Sequence, residues 1–148
     1  MCEYRGCQMS VNGVIGIMEH VTVCVATYGR PELLRKLLDS LVALRTDGSF
    51  TFSVLVVDND ARQSARAVVE RTRDCVPVDV EYRLCPQKSL SLARNACVDN
   101  ARGEYIAFID DDEYAHPEWL VCLVRCARVH GADVVHGPVR PYFGRPVP

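Results

Sequence analysis

Residues 21–41 read VTVCVATYGRPELLRKLLDSL, and this stretch decides the fold. Its first six residues form a continuous apolar run rich in valine, which is typical of a strand buried on both faces of a sheet. Pro31 suits the first turn of a helix, where a missing N–H leaves no bond unmade. Leucines then recur with helical spacing at positions 33, 34, 37, 38 and 41. The stretch therefore predicts a buried strand followed by a helix that packs on the sheet.

The rest of the chain repeats this alternation of apolar runs and amphipathic segments. Further strands are predicted at residues 52–58, 78–84, 105–109 and 133–135, and further helices at residues 64–71, 90–101 and 116–130. Ser89 or Ser91 could cap the start of the second of these helices, and Gly131 would end the last. Alternation of this kind favours right-handed crossovers. The predicted fold class is α/β, a Rossmann-like and mostly parallel sheet with helices on both faces.

Length and composition limit what the chain can do. Its 148 residues, 49% hydrophobic and 24% charged, are enough for one core. We expect one domain at residues 21–148 and a poorly ordered leader at residues 1–20. The formal net charge of −2 gives no long-range attraction for nucleic acid. No run approaches the roughly 18 apolar residues of a membrane span, so we expect neither a nucleic-acid partner nor a span.

The eight cysteines are scattered along the chain, and no two form a CxxC pair. Zinc ribbons and fingers need such closely spaced pairs. Cys122 and Cys126 would share a helix face, but no second pair accompanies them. The pattern favours small buried side chains in a reducing compartment, which indicates a cytoplasmic location.

Polar and charged residues follow the predicted strands at the point where each strand ends. The first strand is followed by Thr27, Tyr28 and Arg30, the second by Asp58, Asn59 and Asp60, the third by Lys88 and Ser89, and the fourth by Asp110, Asp111, Asp112 and Glu113. Open α/β sheets bind ligands outside the carboxyl ends of their strands. We therefore expect these side chains to form one binding site.

The acidic run DDDE at residues 110–113 has two interpretations. It could be a solvated turn that caps the next helix, because a helix dipole favours acids at its start. Alternatively, the carboxylates could hold a hard divalent cation, Mg²⁺ or Mn²⁺. The second interpretation gains from the acidic cluster DND at another strand end and from Arg30, Lys88 and Arg94 nearby. A cation bound by acids and facing basic groups suits a nucleoside diphosphate.

These segments resemble the family 2 glycosyltransferases of the GT-A fold. The resemblance covers about residues 21–139 and rests on four segments in order. These are the opening strand and helix, the turn VLVVDNDA, the segment SLSLARNACVDNARG and the DDDE run that follows it. Within the family the chain is most similar to bacterial exopolysaccharide glucosyltransferases of the succinoglycan type.

The resemblance implies a role for each matching residue. Thr27, Tyr28 and Arg30 would line the nucleotide pocket. Asp58 would bind the base, commonly uracil, with Asp60 close by, and Arg94 would face the diphosphate or sugar. Asp110 would contact the ribose, Asp112 would hold the Mg²⁺ or Mn²⁺ ion, and Asp111 would lie between them.

The reaction that the resemblance implies is transfer of a sugar, with inversion, from a nucleotide sugar, most commonly a UDP-sugar. The acceptor would be a polysaccharide or a lipid-linked saccharide, in the second case reached at the cytoplasmic face of the membrane. Family members continue well past residue 148 and carry the acceptor pocket and the general base there. We therefore expect the base beyond Pro148 and a chain truncated to its donor-binding half.

Two other interpretations remain open, and two further classes of protein lack an expected feature. The chain could be a non-catalytic module that binds nucleotide sugars, or an inactive fragment. A phosphoacceptor receiver domain would need a lysine after its acidic site, but Lys36 and Lys88 both precede DDDE. A nucleotidyltransferase would be expected to open with a glycine-rich phosphate loop, which does not follow the first strand.

Overall fold

The computed structural model describes residues 18–141. Four strands and four helices alternate along them: β1 (His20–Thr27), α1 (Pro31–Val42), β2 (Thr51–Asp58), α2 (Arg66–Cys75), β3 (Asp79–Leu84), α3 (Leu90–Asn100), β4 (Tyr105–Phe108) and α4 (Trp119–His130). All strand pairs are parallel, in the order β3-β2-β1-β4. The α/β prediction of a parallel sheet is confirmed.

Helices cover both faces of the sheet because the strands alternate their side chains between two cores. On one face, Val23 and Val56 pack with residues of α1, α2 and α4. On the other face, Leu55 and Cys24 pack with Cys97 of α3. The chain thus crosses to the second face with α3, which carries it from β3 past β2 and β1 to β4, and returns to the first face with α4.

Helix α1 follows the predicted pattern with one exception. Pro31 is its first residue, and Leu34, Leu37, Leu38 and Leu41 are buried. Burial of each such side chain stabilises the fold by roughly 1.5–3 kcal/mol. Leu33, which the spacing placed in the same stripe, is instead exposed, since it lies at the edge of the stripe where the sheet no longer covers it.

The predicted fifth strand at residues 133–135 is wrong, because this segment forms no strand in the structure. Val134 is exposed, and among residues 18–141 no strand lies beyond β4 to provide a partner. With only two apolar residues, Val134 and Val135, this segment is too short to hold a strand. The helix before it starts at Trp119 rather than at residue 116 and ends, as predicted, at Gly131, whose φ of 56° is left-handed.

The start of the domain lies slightly before the predicted boundary. His20 belongs to β1, and the carbonyl of Glu19 accepts a bond from Thr51 N at 2.9 Å. Glu19 also pairs with Arg128 of α4. Residues 1–17 of the predicted leader lie outside the described residues.

The six cysteines of the described region are free thiols. Only Cys24 and Cys97 are fully buried, as small core residues, whereas Cys75 and Cys122 are exposed. No group of three His, Cys, Asp or Glu side chains is placed to hold a metal within residues 18–141. In that same range, no helix combines the length and the apolar character needed to cross a bilayer.

Candidate functional site

A cleft of about 300 Å³ opens at the carboxyl ends of β1 and β4. This is where the strand order reverses, since the chain runs outward from β1 to β3 and returns on its other side as β4. Such a reversal leaves a crevice between the first helices on opposite faces. Seven of the nine predicted site residues line it: Thr27, Tyr28, Arg30, Arg94, Asp110, Asp111 and Asp112.

The turn between β1 and α1 contributes one wall of the cleft. Gly29 lies in the left-handed region with φ of 65°, a conformation that glycine adopts without strain. The turn brings Thr27 at the end of β1 and Arg30 before α1 to the same side of the DDDE run. These two residues, predicted from the strand end, therefore both contact the acidic run.

Asp111 is the buried member of the acidic run, with its side chain 8% exposed. Its Oδ2 accepts a hydrogen bond from Thr27 Oγ1 at 2.7 Å, and its Oδ1 lies 3.2 Å from an Arg30 guanidinium nitrogen. A buried carboxylate is tolerated only when it is bonded or paired in this way. Asp111 thus fixes the position of the acidic run rather than facing solvent.

Asp110 and Asp112 are the accessible members of the run, with side chains 62% and 53% exposed. Asp110 pairs with Arg94 of α3 at 3.1 Å, and its backbone N–H bonds to Glu113 Oε2 at 3.1 Å. The run does not cap α4, which begins only at Trp119 and has no side-chain cap. The helix-cap interpretation of DDDE is therefore wrong.

Arg30 already places one positive charge between two of the carboxylates. The same guanidinium nitrogen lies 3.2 Å from Asp111 Oδ1 and 3.2 Å from Asp112 Oδ2. The two carboxylates thus share one positive charge at this position. Mg²⁺ takes only one or two protein carboxylates and completes its shell with water and phosphate oxygens. The donor set of Asp112 with its neighbours fits a divalent ion of this kind.

Asp58 does not line the cleft. It ends β2 and is fully buried, and its carboxylate accepts bonds from Asp60 N at 3.0 Å, Ala65 N at 2.9 Å and Tyr82 Oη at 3.1 Å. Burial, and next the charge of Asp58, raise the pKa of Tyr82 to about 12. In this structure Asp58 organises the turn from β2 to α2.

Asp60 lies in the same turn and is also outside the cleft lining. Its Oδ1 accepts from the backbone N–H of Arg62 at 3.0 Å. That bond, more than the Arg62 guanidinium, lowers the pKa of Asp60 below its usual range. The Ser64 side chain also lowers this pKa by hydrogen bonding to Asp60, so the Asp60 carboxylate is engaged within its own turn.

Two further residues lie in the cleft region, and neither had a predicted contact partner. Asn59 lines the cleft and bonds to the loop between β3 and α3. The Lys88 ammonium group of that loop lies 4.7 Å from the centre of the Tyr28 ring, a cation–π distance. Both follow predicted strands, so their position could be read from sequence. Their partners could not be, because the contacts join separate loops.

A larger hollow of about 660 Å³ lies along the outer side of α4, between residues such as Asp47, Val121 and Arg128. It contains none of the residues predicted from the strand ends. Its charged groups are already engaged, since Arg128 pairs with Glu19. The cleft at the strand ends is therefore the candidate site.

Comparison with known proteins adds to this geometry. The sequence profile described as Glycosyl transferase family 2 matches residues 22–148. Succinoglycan biosynthesis protein ExoM of Rhizobium meliloti is 45% identical over 129 residues, which are 87% of this chain and 41% of ExoM. Poly(ribitol-phosphate) beta-N-acetylglucosaminyltransferase TarS of Staphylococcus aureus is 28% identical over 131 residues, 88% of this chain and 23% of TarS. The chain thus spans less than half the length of these relatives.

Solved structures of glycosyltransferases share the fold of this chain. Residues 1–349 of S. aureus TarS, crystallised in complex with UDP, align with a TM-score of 0.72 and 26% identity over 86% of this chain and 38% of that one. The mannosyltransferase PcManGT from Pyrobaculum calidifontis, in complex with GDP-Man and Mn²⁺, aligns with a TM-score of 0.65. At 22% identity over 76% of this chain and 33% of that one, the second likeness shows the fold alone.

Proposed function

The chain belongs to glycosyl transferase family 2, and on that premise we propose that it binds the nucleotide-sugar donor of a sugar-transfer reaction. The observation that carries the proposal is the meeting of Thr27, Arg30 and the DDDE run in one cleft. Their segments lie some eighty residues apart in sequence, and the fold brings these accessible acids and arginines together at one edge of the sheet, which supports a shared site.

The donor we propose is a UDP-sugar. The cleft volume of about 300 Å³ suits part of such a ligand. Arg94 and Arg30 supply positive charge for a diphosphate, and TarS, a relative with the same fold, was crystallised with UDP. In our assignment Tyr28 lines the nucleotide pocket and Asp110 contacts the ribose.

The base contact belongs to the turn that follows β2. Both carboxylate oxygens of Asp58 are engaged within the protein. Asp60 also has a buried side chain outside the cleft lining, engaged by Arg62 and Ser64 of the same turn. We therefore propose that the turn of Asp58 and Asp60 shapes the base end of the nucleotide pocket.

Mg²⁺ or Mn²⁺ is the cofactor we propose, held by Asp112. When bound, a divalent ion neutralises the charge that develops on a departing diphosphate. Asp111, fixed by Thr27, keeps the run in place, and Arg94 orients Asp110. When no nucleotide sugar is bound, Arg30 neutralises part of the negative charge of Asp111 and Asp112. The residues of this chain thus bind and orient the donor, and the general base of an inverting displacement is not assigned to any of them.

The acceptor and the location follow the family likeness. ExoM, the 45% identical relative, is named for succinoglycan biosynthesis, which supports a polysaccharide or lipid-linked saccharide acceptor. Six free thiols in the described region suit a reducing compartment. We propose a cytoplasmic protein, with contact at the cytoplasmic membrane face if the acceptor is lipid-linked.

Isothermal titration of the chain with UDP and with UMP tests the donor proposal. With Mn²⁺ present we expect UDP to bind at least tenfold more tightly than UMP, because the cation and the arginines act on the second phosphate. Chelation of the metal should reduce that difference, leaving only the contribution of the arginines. Equal binding of UDP and UMP in Mn²⁺, or no binding of either, would contradict the proposal.

A further inference from the structure

The side-chain amide of Asn59 forms all of its hydrogen bonds with the loop at residues 85–89. Its Nδ2 donates to the carbonyls of Cys85 and Gln87, each at 2.7 Å, and its Oδ1 accepts from the backbone N–H of Ser89 at 2.8 Å. Asn59 itself is held at the carboxyl end of the sheet, since its backbone N–H donates to Thr27 O at 2.8 Å. The residue therefore ties the loop at residues 85–89 to the end of β1 and β2.

The tied loop leads directly into one wall of the cleft. Ser89 is the N-cap of α3, with its Oγ accepting from Leu92 N at 3.4 Å. The first turns of α3 bring Ala93 and Arg94 to the cleft, and Arg94 pairs there with Asp110. Lys88, the residue before the cap, reaches the Tyr28 ring on the opposite wall. A shift of residues 85–89 would move all of these groups.

Only asparagine among the small side chains satisfies the three partners. Two carbonyl oxygens need two N–H donors, and one backbone N–H needs an acceptor, which is the complement of a primary amide. Aspartate would keep the shape and the acceptor but would turn a carboxylate oxygen toward two carbonyls. Alanine would lose all three bonds. The position of the partners also fixes which end of the amide is nitrogen.

We propose that Asn59 is a positioning residue that holds the α3 wall of the cleft, and with it Arg94 and Lys88, in the geometry that binds the donor. The expected effect on donor binding rests on the proposed function, whereas the tie between Asn59 and the loop does not. It acts through the loop, so Asn59 needs no contact with the ligand. The loop and the nucleotide can therefore be measured separately.

Amide hydrogen exchange on the chain tests the tie itself. In N59D and N59A we expect exchange to accelerate by on the order of tenfold at Ser89 and along residues 85–94, since a lost bond to a buried group opens the loop. The matched control is N100D, the same change at an asparagine of α3 that bonds only to Ala96 O at 2.8 Å and lies away from the cleft. Unchanged exchange at residues 85–94, or acceleration spread evenly over β1, β2 and β4, would overturn the proposal.

Titration with UDP and Mn²⁺ tests the consequence. N59D and N59A should bind UDP about tenfold more weakly, while N100D binds like the unaltered chain. Weaker UDP binding with normal exchange at residues 85–94 would mean direct contact with the ligand and would overturn the positioning role. Faster exchange there with unchanged UDP affinity would overturn it as well. If the unaltered chain binds no UDP, the proposed function fails. Amide exchange at residues 85–94 in N59D then still tests whether Asn59 holds the loop.

Discussion

Thr27 and Asp111 are joined by a 2.7 Å hydrogen bond between two buried side chains that lie 84 positions apart in sequence. Thr27 ends β1, and Asp111 is the central residue of the acidic run after β4. Because β1 and β4 are adjacent at the point where the strand order reverses, one short bond fixes the acidic run against the sheet. The bond therefore links the fold directly to the geometry of the candidate site.

Replacing Thr27 with valine tests this link. T27V keeps the shape of the side chain but leaves the buried carboxylate of Asp111 without its hydroxyl donor. We expect the free energy of unfolding to fall by about 1–3 kcal/mol, measured by urea denaturation. T51V is the matched control, because Thr51 is exposed and its hydroxyl bonds only to Nδ1 of the half-buried His20 among the described residues. Equal losses of unfolding free energy in T27V and T51V would show that the Thr27–Asp111 bond stabilises the fold no more than an exposed bond does.

Arg30 gives a prediction about cation binding. Its guanidinium lies between Asp111 and Asp112, where it competes with a divalent ion for Asp112. We expect R30Q to bind Mn²⁺ more tightly in the absence of nucleotide. The gain should be at most about fivefold, because one exposed ion pair contributes up to about 1 kcal/mol. Titration followed by the electron paramagnetic resonance of free Mn²⁺ measures this. The control is R35Q, which breaks an exposed pair with Asp39 on α1, and weaker Mn²⁺ binding in R30Q would refute the competition.

Tyr82 gives a prediction about alkaline stability. Its pKa is about 12 in the folded protein, raised from 10.0 first by burial and then by the charge of Asp58. The unfolded chain therefore loses this proton at a lower pH than the folded chain does. Stability from this group is fully present below about pH 10 and is lost as pH rises toward about 12.

The variant Y82F removes that titration together with the bond to Asp58. At pH 8 we expect Y82F to be less stable than the unaltered chain by about 1 kcal/mol. Between pH 10 and pH 12 the gap should narrow, because only the unaltered chain carries the titrating hydroxyl. Urea denaturation at matched pH values measures both chains, and a gap that stays constant over this range would contradict the prediction.

The sequence predicted the architecture and most of the cleft for one physical reason. Buried parallel strands are continuous apolar runs, and the polar residues that end them must meet at one edge of the sheet. Thr27, Arg30 and the acids of DDDE were found in this way, whereas the role of Arg94 came from the family resemblance. Leu33 and the expected strand at residues 133–135 were misassigned because local pattern does not reveal where the sheet stops covering its surroundings.

The roles of Asp58 and Asn59 could not be predicted for a different reason. Asp58 ends β2 and Asn59 follows it, so their position at the strand ends was correctly expected. Whether such a side chain faces a ligand or the protein depends on bonds to other segments of the chain, here to Tyr82 of β3 and to the loop at residues 85–89. No spacing within one segment reports such contacts.

The role of Asp112 is the central claim, and titration of D112N with UDP in the presence and absence of Mn²⁺ tests it most directly. D99N is the matched control, since Asp99 is an exposed aspartate of α3 that does not line the cleft. The exposed pair of Asp112 with Arg30 contributes little, so we expect the unfolding free energy of D112N to change by less than about 1 kcal/mol. The account predicts that D112N loses Mn²⁺-dependent UDP binding while D99N keeps it, and retained Mn²⁺-dependent binding in a folded D112N would contradict it.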